Sequence, residues 1–270
     1  MTLCRTATRA ELDQILNWAA DEGWNPGLDD AGAFYAADPK GFFVAIEDGH
    51  PVASISVVNH TDDFAFLGLY IAHPDHRGKG IGFKLWQHAL EHAGQRTIGL
   101  DGVAAQRGNY EASGFRMAGG TTRFTGQIAP MDHDDIRVAR PSDTAELIAA
   151  EAAATGIPKS GYLGAWFQNT PTRQTLIAKR GFCTVRQCRT GAKIGPLLAE
   201  DTNAARALIQ QAATRFDGPM TIDVPDSSDK LIALCRSFDM DAGFETARMY
   251  RGAQPVIQKS TFAVTTLELG

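Results

Sequence analysis

Six consecutive residues, Arg77, Gly78, Lys79, Gly80, Ile81 and Gly82, hold the densest chemical signal in the chain, within HPDHRGKGIG (73–82). Ahead of them runs the apolar FAFLGLYIA (64–72), with the composition of a strand. Behind them runs FKLWQHALEHA (83–93), with that of a helix. A helix start leaves its first N–H groups unpaired and carries about half a positive charge. Glycines at alternate positions let the backbone close around an anion. The chemistry is phosphate binding by main-chain amides, with Arg77 and Lys79 adding Coulomb attraction. Two common phosphate loops do not fit. A P-loop needs Gly-Lys-Ser/Thr where the chain has Phe83-Lys84-Leu85, and a dinucleotide fingerprint needs a third glycine where Phe83 stands.

Other groupings are weaker. HALEH (88–92) spells an inverted zincin motif, but its helix must pack on a sheet through Ile81, Leu85, Trp86 and Ala89, so the reading is that no metal binds. DHDD (132–135) reads as a solvated linker. Cys4, Cys183, Cys188 and Cys235 are scattered without a CxxC pair and read as reduced thiols. The net charge of -5 argues against a nucleic-acid partner. No apolar stretch has membrane-spanning length and MTLCRTATRAELDQ lacks a signal-peptide core, so a cytoplasmic protein is expected. Residues 1–130 hold 10 Lys+Arg against 15 Asp+Glu, and 131–270 hold 16 of each. The acid excess of the first half reads as a solvated face or as attraction for a cationic partner.

The elements around the turn repeat. CRTATRAELDQILNWAADEG (4–23) and IRVARPSDTAELIAAEAAATG (136–156) each pass from a short strand into a helix through a polar start, Thr8 with Glu11 and Asp143 with Glu146. TIGLDG (97–102) and MTIDVP (220–225) each end an apolar strand near an Asp, and Gly-Phe follows a short helix at 114–115 and 243–244. Four features recurring in order at an offset of about 130 residues indicate two copies of one α/β unit. Each copy reads as strand, helix, short helix, three strands, helix, strand, helix, strand, with a hairpin at Asp48-Gly49. The boundary falls near residue 130. TFAVTTLELG (261–270) alternates like one more strand, with no indication of which sheet receives it.

In this setting HP-x-x-R-G-x-G-I-G resembles the acetyl-CoA signature of the GNAT superfamily of N-acetyltransferases, met by Arg77, Gly80 and Gly82. NYEASGF (109–115) resembles the family's Y-x-x-x-G-F. Over its length the chain resembles tandem members with an intact first domain (1–130) and a degenerate second (131–270). The implied fold is α/β (α+β): two tandem GNAT-like domains, each a mixed, mostly antiparallel twisted sheet flanked by helices. The resemblance implies acetyl-CoA as co-substrate, its pyrophosphate on residues 77–82 and its pantetheine arm along Tyr70, Ile71 and Ala72. It also implies Tyr110 near the sulfur as acid for the departing thiolate. The family's asparagine seven residues before that tyrosine is Val103 here.

The family's usual glutamate on the strand before the turn is missing from FAFLGLYIA. Asp101 is the nearest carboxylate by topology, while Asp223 at the matching place gives a structural role equal weight. A water chain, His60 or a backbone carbonyl are the other routes for the proton. The acceptor, a small-molecule or peptide amine, is expected over DEGWNPGLDD (21–30), with Trp24, Asn25 and Asp29 in contact and Asp21, Glu22 and Asp30 adding attraction. Direct transfer in a ternary complex is implied, one CoA per chain, because Glu200 and Asp201 stand where the second copy would bind phosphate. The rival reading is a CoA-binding sensor or scaffold that transfers nothing.

Overall fold

The computed structural model describes residues 2–256 and 261–270. The first copy comprises β1 (Leu3–Thr6), α1 (Arg9–Asp21), α2 (Asp30–Ala37), β2 (Phe42–Glu47), β3 (His50–Asn59), β4 (Phe64–Ala72), α3 (Ile81–Ala93), β5 (Thr97–Val103), α4 (Arg107–Ala112) and β6 (Arg116–Gly126). The second repeats that order in β7 (Arg137–Val138), α5 (Thr144–Thr155), α6 (Ser160–Trp166), β8 (Arg173–Ala178), β9 (Gly181–Gln187), β10 (Ala192–Ala199), α7 (Thr202–Ala212), β11 (Met220–Pro225), α8 (Asp229–Ser237) and β12 (Asp241–Arg251), and β13 (Thr261–Ala263) follows.

Local signals act as their chemistry demands. Thr8 and Glu11 form a reciprocal capping box, the Thr8 hydroxyl accepting from the Glu11 N–H at 3.2 Å and the Glu11 carboxylate from the Thr8 N–H at 2.7 Å. Asp48 and Gly49 both take positive φ, 49° and 83°, which gives the β2–β3 hairpin a turn matching strand twist. The expected counterpart at Asp143 and Glu146 is different. Asp143 makes no cap bond to α5 and instead accepts from the Arg140 N–H and from Arg137, because a single 3-10 turn precedes the helix.

The two copies share one 13-stranded sheet with the order β1-β2-β3-β4-β5-β12-β6-β11-β10-β9-β8-β7, and β13 pairs with β10. Their last strands are exchanged: β12 lies against β5, and β6 lies against β11. Each exchanged strand brings an arginine opposite the other copy's aspartate. Arg248 donates to both oxygens of Asp101 at 2.7 and 2.6 Å, and Arg123 to both oxygens of Asp223 at 2.7 and 3.0 Å. A core shared by both copies packs α1 and α2 against α5 and α6 through residues such as Phe34, Tyr162 and Trp166. The opposite faces are covered separately, by α3 in the first copy and by α7 with α8 in the second.

β4 and β5 pair in parallel only from Phe64–Thr97 to Leu67–Leu100. Beyond that point they part. Leu69, with φ of 48°, makes a bulge that shifts the register of β4 against β3 and turns its end away from β5. The second copy opens the same way. β10 and β11 pair over Ala192–Ile194, after which β13 lies against Leu197 and Leu198.

Candidate active site

The glycine turn sits at the mouth of this opening. Gly80 is the N-cap of α3 with φ of 75°, Gly78 has φ of 74°, and the Lys84 N–H closes onto the Gly80 carbonyl at 3.1 Å. The amides ahead of Lys84 therefore stand at the positive end of a 13-residue helix with no acidic side chain in its first turn. Arg77 is tied down beside them, donating to the Ala72 carbonyl at 2.9 Å and to Glu22. At Gly82 a Cβ would come within 2.7 Å of the Tyr70 hydroxyl oxygen, so the small residue there is a matter of space.

From the turn a cavity of about 460 Å³ runs into the sheet between the parted ends of β4 and β5. Tyr70, Ile71 and Ala72 line it, as do Arg77, Gly78, Gly80, Gly82 and Tyr110; Lys79 and Ile81 do not. Tyr110 covers Gly102, where a Cβ would meet its ring at 2.2 Å, and stacks on Trp86 with centroids 5.7 Å apart. Burial pushes the Tyr110 phenol up to about 12, so it carries its proton throughout the neutral range.

The other anticipated residues divide. Asp101 lies at the cavity wall, but its side chain is fully buried and both oxygens face Arg248. Burial raises its pKa and the Arg248 charge opposes that rise. Trp24 lines the cavity, and its carbonyl accepts from Arg123 and Lys193, each at 3.0 Å. Asn25 and Asp29 do not reach it. Asn25 is held by the Thr190 backbone, and Asp29 by Thr170 and Arg173. The loop's remaining acids are also paired, Asp21 with Arg189, Glu22 with Arg77 and the buried Asp30 with Arg186. Much of this acidity thus meets arginines of the second copy. His60 lies outside the cavity, its Nε2 donating to the Leu269 carbonyl at 2.8 Å, with burial and the Lys159 charge pulling its pKa down to about 3. Of the HALEH pair, His88 packs edge-on against Phe43 and His92 bonds Asp38 at 2.7 Å.

The inner end of the cavity is built from residues that sequence reasoning missed. Arg123 of β6, Phe244 and Thr246 of β12, and Leu267 and Glu268 all line it. Arg123 lies over the Phe244 ring at 5.3 Å. The signals available were the repeated Gly-Phe at 243–244 and the closing TTLELG, which fit the tandem pattern without assigning a role in the site to any residue. Among the described residues no group of three metal-ligating side chains gathers, and no helix is long and apolar enough to cross a membrane.

Comparison with known proteins gives the family. The Acetyltransferase (GNAT) family model matches residues 9–115 and a second Acetyltransferase (GNAT) domain model matches 147–262. The holothin acyltransferase of Pseudoalteromonas sp. (strain SANK 73390) is 33% identical over 280 aligned positions, covering 98% of this chain and 94% of that one. The chain is a tandem GNAT acyltransferase. Solved structures share the fold. A Pyrococcus horikoshii protein crystallised as a candidate acetyltransferase has a TM-score of 0.86 at 19% identity, covering 100% of this chain and 96% of its own. A tandem GNAT protein from the clavulanic acid biosynthesis pathway has a TM-score of 0.63 at 12% identity, covering 96% and 100%. The β4–β5 opening of the first copy is an open cavity, whereas the second copy's counterpart is occupied by its own chain. A Cβ on Gly195 would lie 2.5 Å from the Thr265 carbonyl oxygen.

Proposed function

We propose that this acyltransferase moves an acetyl group from acetyl-CoA to a compact primary amine by direct transfer in a ternary complex. The observation that carries the reading is a single cavity joining the glycine turn, Tyr110 and the inner end at Trp24 and Phe244. Bound acetyl-CoA supplies the activated thioester carbonyl. The amides of residues 78–82 hold the diphosphate, with Arg77 and Lys79 adding charge, and Ile81 helps seat the helix end. Tyr70, Ile71 and Ala72 flank the pantetheine arm, and a backbone N–H at Ile71 or Ala72 holds the carbonyl oxygen as charge builds on it. Tyr110 gives its proton to the leaving sulfur.

The acceptor is proposed to lie between Trp24 and Phe244, an apolar and aromatic setting for the body of a small amine. Asn25 and Asp29 then act indirectly, by fixing the Trp24 loop to the second copy. We read Asp101 as half of a buried pair that locks β12 to β5. One CoA binds per chain, because β13 and the residues after it fill the second opening while the Asp201 side chain itself caps α7 at its mouth, accepting from the Ala204 N–H at 2.9 Å. Thiol release from acetyl-CoA across a panel of primary amines, with calorimetry for stoichiometry, tests the reading. Turnover of at least one amine and a single bound CoA are expected. Tight CoA binding with no turnover of any amine, or two CoA per chain, refutes it.

A further inference from the structure

Three carboxylates line the cavity: Glu22, Asp101 and Glu268. Glu22 is spent on Arg77 and Asp101 on Arg248. Glu268 is only 4% exposed, and among the described residues no side chain stands within ion-pair or hydrogen-bond distance of its carboxylate, although the buried charges of Arg123, Arg186 and Lys193 act on it through space. Those cations offset part of the cost of burying the carboxylate, yet none is in contact with it, so its oxygens keep their hydrogen-bonding capacity for another group. Arg123 lines the same end and is already committed to both oxygens of Asp223 and to the Trp24 carbonyl. The Thr246 hydroxyl, buried at the same end, also lacks a hydrogen-bond partner. The Thr246 hydroxyl is thus left unsatisfied, and the Glu268 carboxylate unbonded, beside the same cavity.

Glu268 is also held in position. Its backbone lies on Gly68 of β4, where a Cβ would stand 2.1 Å from the Glu268 carbonyl oxygen. The flanking chain is pinned on both sides. The Leu269 carbonyl accepts from His60 at 2.8 Å, the Leu269 N–H donates to the Thr266 hydroxyl at 3.1 Å, and the Gly270 carbonyl accepts from Lys159. Such anchoring suits a group that must meet a substrate atom at a fixed place.

We propose that Glu268, with Thr246 beside it, receives the acceptor nitrogen of the amine and takes its proton. The proposal rests on the acyl-transfer reading above. Glu268 accepts one proton from nitrogen as the C–N bond forms. Tyr110 gives one proton to sulfur as the C–S bond breaks. Return of the Glu268 proton to the tyrosinate through solvent closes the cycle, so that amine and thioester become amide and thiol with no other reactant. The amine enters neutral, its ammonium proton already left to solvent, so the single proton it loses as the C–N bond forms is the one Glu268 takes. This assigns the second copy the acceptor chemistry and the first copy the acyl donor.

The test compares Glu268→Gln, which keeps the volume but makes a far weaker base, with Glu268→Asp and wild type. With benzylamine as the probe amine, kcat in Glu268→Gln is expected to fall by about 100-fold or more. CoA affinity and Tm should stay at wild-type values, with partial recovery in Glu268→Asp. A kcat equal to wild type overturns the proposal, as does a loss matched by an equal loss of CoA affinity or a collapse in Tm. Where wild-type turnover of benzylamine is too slow to compare, the readout is calorimetric binding of benzylamine to the complex with the unreactive S-ethyl thioether of CoA. Binding weakened about tenfold in Glu268→Gln supports the assignment, and equal binding overturns it. Failure of the acyl-transfer reading shows separately, as absence of turnover by the wild type itself.

Discussion

Gly68→Ala puts the arrangement at the inner end of the cavity under direct strain. The new Cβ would stand 2.1 Å from the Glu268 carbonyl oxygen and 3.1 Å from its Cα, where ordinary contact begins near 3.4 Å. Something must move by about 1.3 Å, and a misplacement of about 1 Å at reacting groups costs on the order of 100-fold in rate. β4 is held on both edges up to this point, so the displaced element is the segment carrying Glu268. Overpacking of this kind costs roughly 1–3 kcal/mol, so a Tm fall of several degrees is expected alongside. The assay is steady-state kinetics with acetyl-CoA and a panel amine, together with calorimetric CoA affinity, in wild type, Gly68→Ala, Glu268→Gln and the double variant. Gly68→Ala should lower kcat about 100-fold while CoA affinity changes little, because the diphosphate turn lies at the other end of the cavity. In the Glu268→Gln background the same substitution should add almost nothing, since the group it displaces is already inactive. Unchanged kcat in Gly68→Ala, or the full loss repeated in the double variant, would refute the reasoning.

At the turn, Gly82→Ala brings a Cβ to 2.7 Å from the Tyr70 hydroxyl oxygen; the CoA Kd should rise about tenfold and Tyr70→Phe should restore most of it, as calorimetry would report. Tyr110→Phe should lower kcat by about 10- to 100-fold with CoA affinity unchanged, and equal rates would remove the phenol from the mechanism. Asp101→Asn leaves Arg248 buried without its partner, which costs roughly 3–5 kcal/mol, so the expected effect is a Tm fall of about 10 °C, with kcat largely kept at temperatures where the variant is folded. His60 has a folded pKa of about 3, below its ordinary 6.5, so unfolding takes up a proton between those values. Stability should therefore fall as pH drops from 6.5 toward 3, and His60→Gln should flatten that slope in Tm measurements across the window.

How much of this was legible depended on range. The capping box at Thr8 and Glu11, the Asp48-Gly49 hairpin and the turn at 77–82 are each settled by residues a few positions apart, and each stands where its spacing predicts. The duplication and the order of elements in both copies were readable because one pattern of polar starts and apolar strands occurs twice. The acceptor end was not. Asp101 stands at the anticipated strand end, but the partner that occupies it, Arg248, is 147 residues away on an exchanged strand. Asn25 and Asp29 lie in the expected loop, but they face the second copy's Thr190, Thr170 and Arg173. Periodicity within one copy carries no information about which strand the other copy inserts.

That exchange explains how a copy without a phosphate turn can remain useful. The same opening between parallel strands exists twice. In the first copy it leads from an electropositive helix end to Tyr110, and in the second it is filled by β13 and the residues after it. The filling segment does not stop there. It continues across the sheet to Gly68, so that losing one ligand slot places Glu268 at the inner end of the other. β12 crosses in the same direction, bringing Phe244 and Thr246 and locking into place through Arg248 and Asp101. The first copy separated from the second would keep its turn and Tyr110, but its cavity would lack the inner wall, and β5 would end as an unpaired edge. The cavity is therefore a product of the whole tandem.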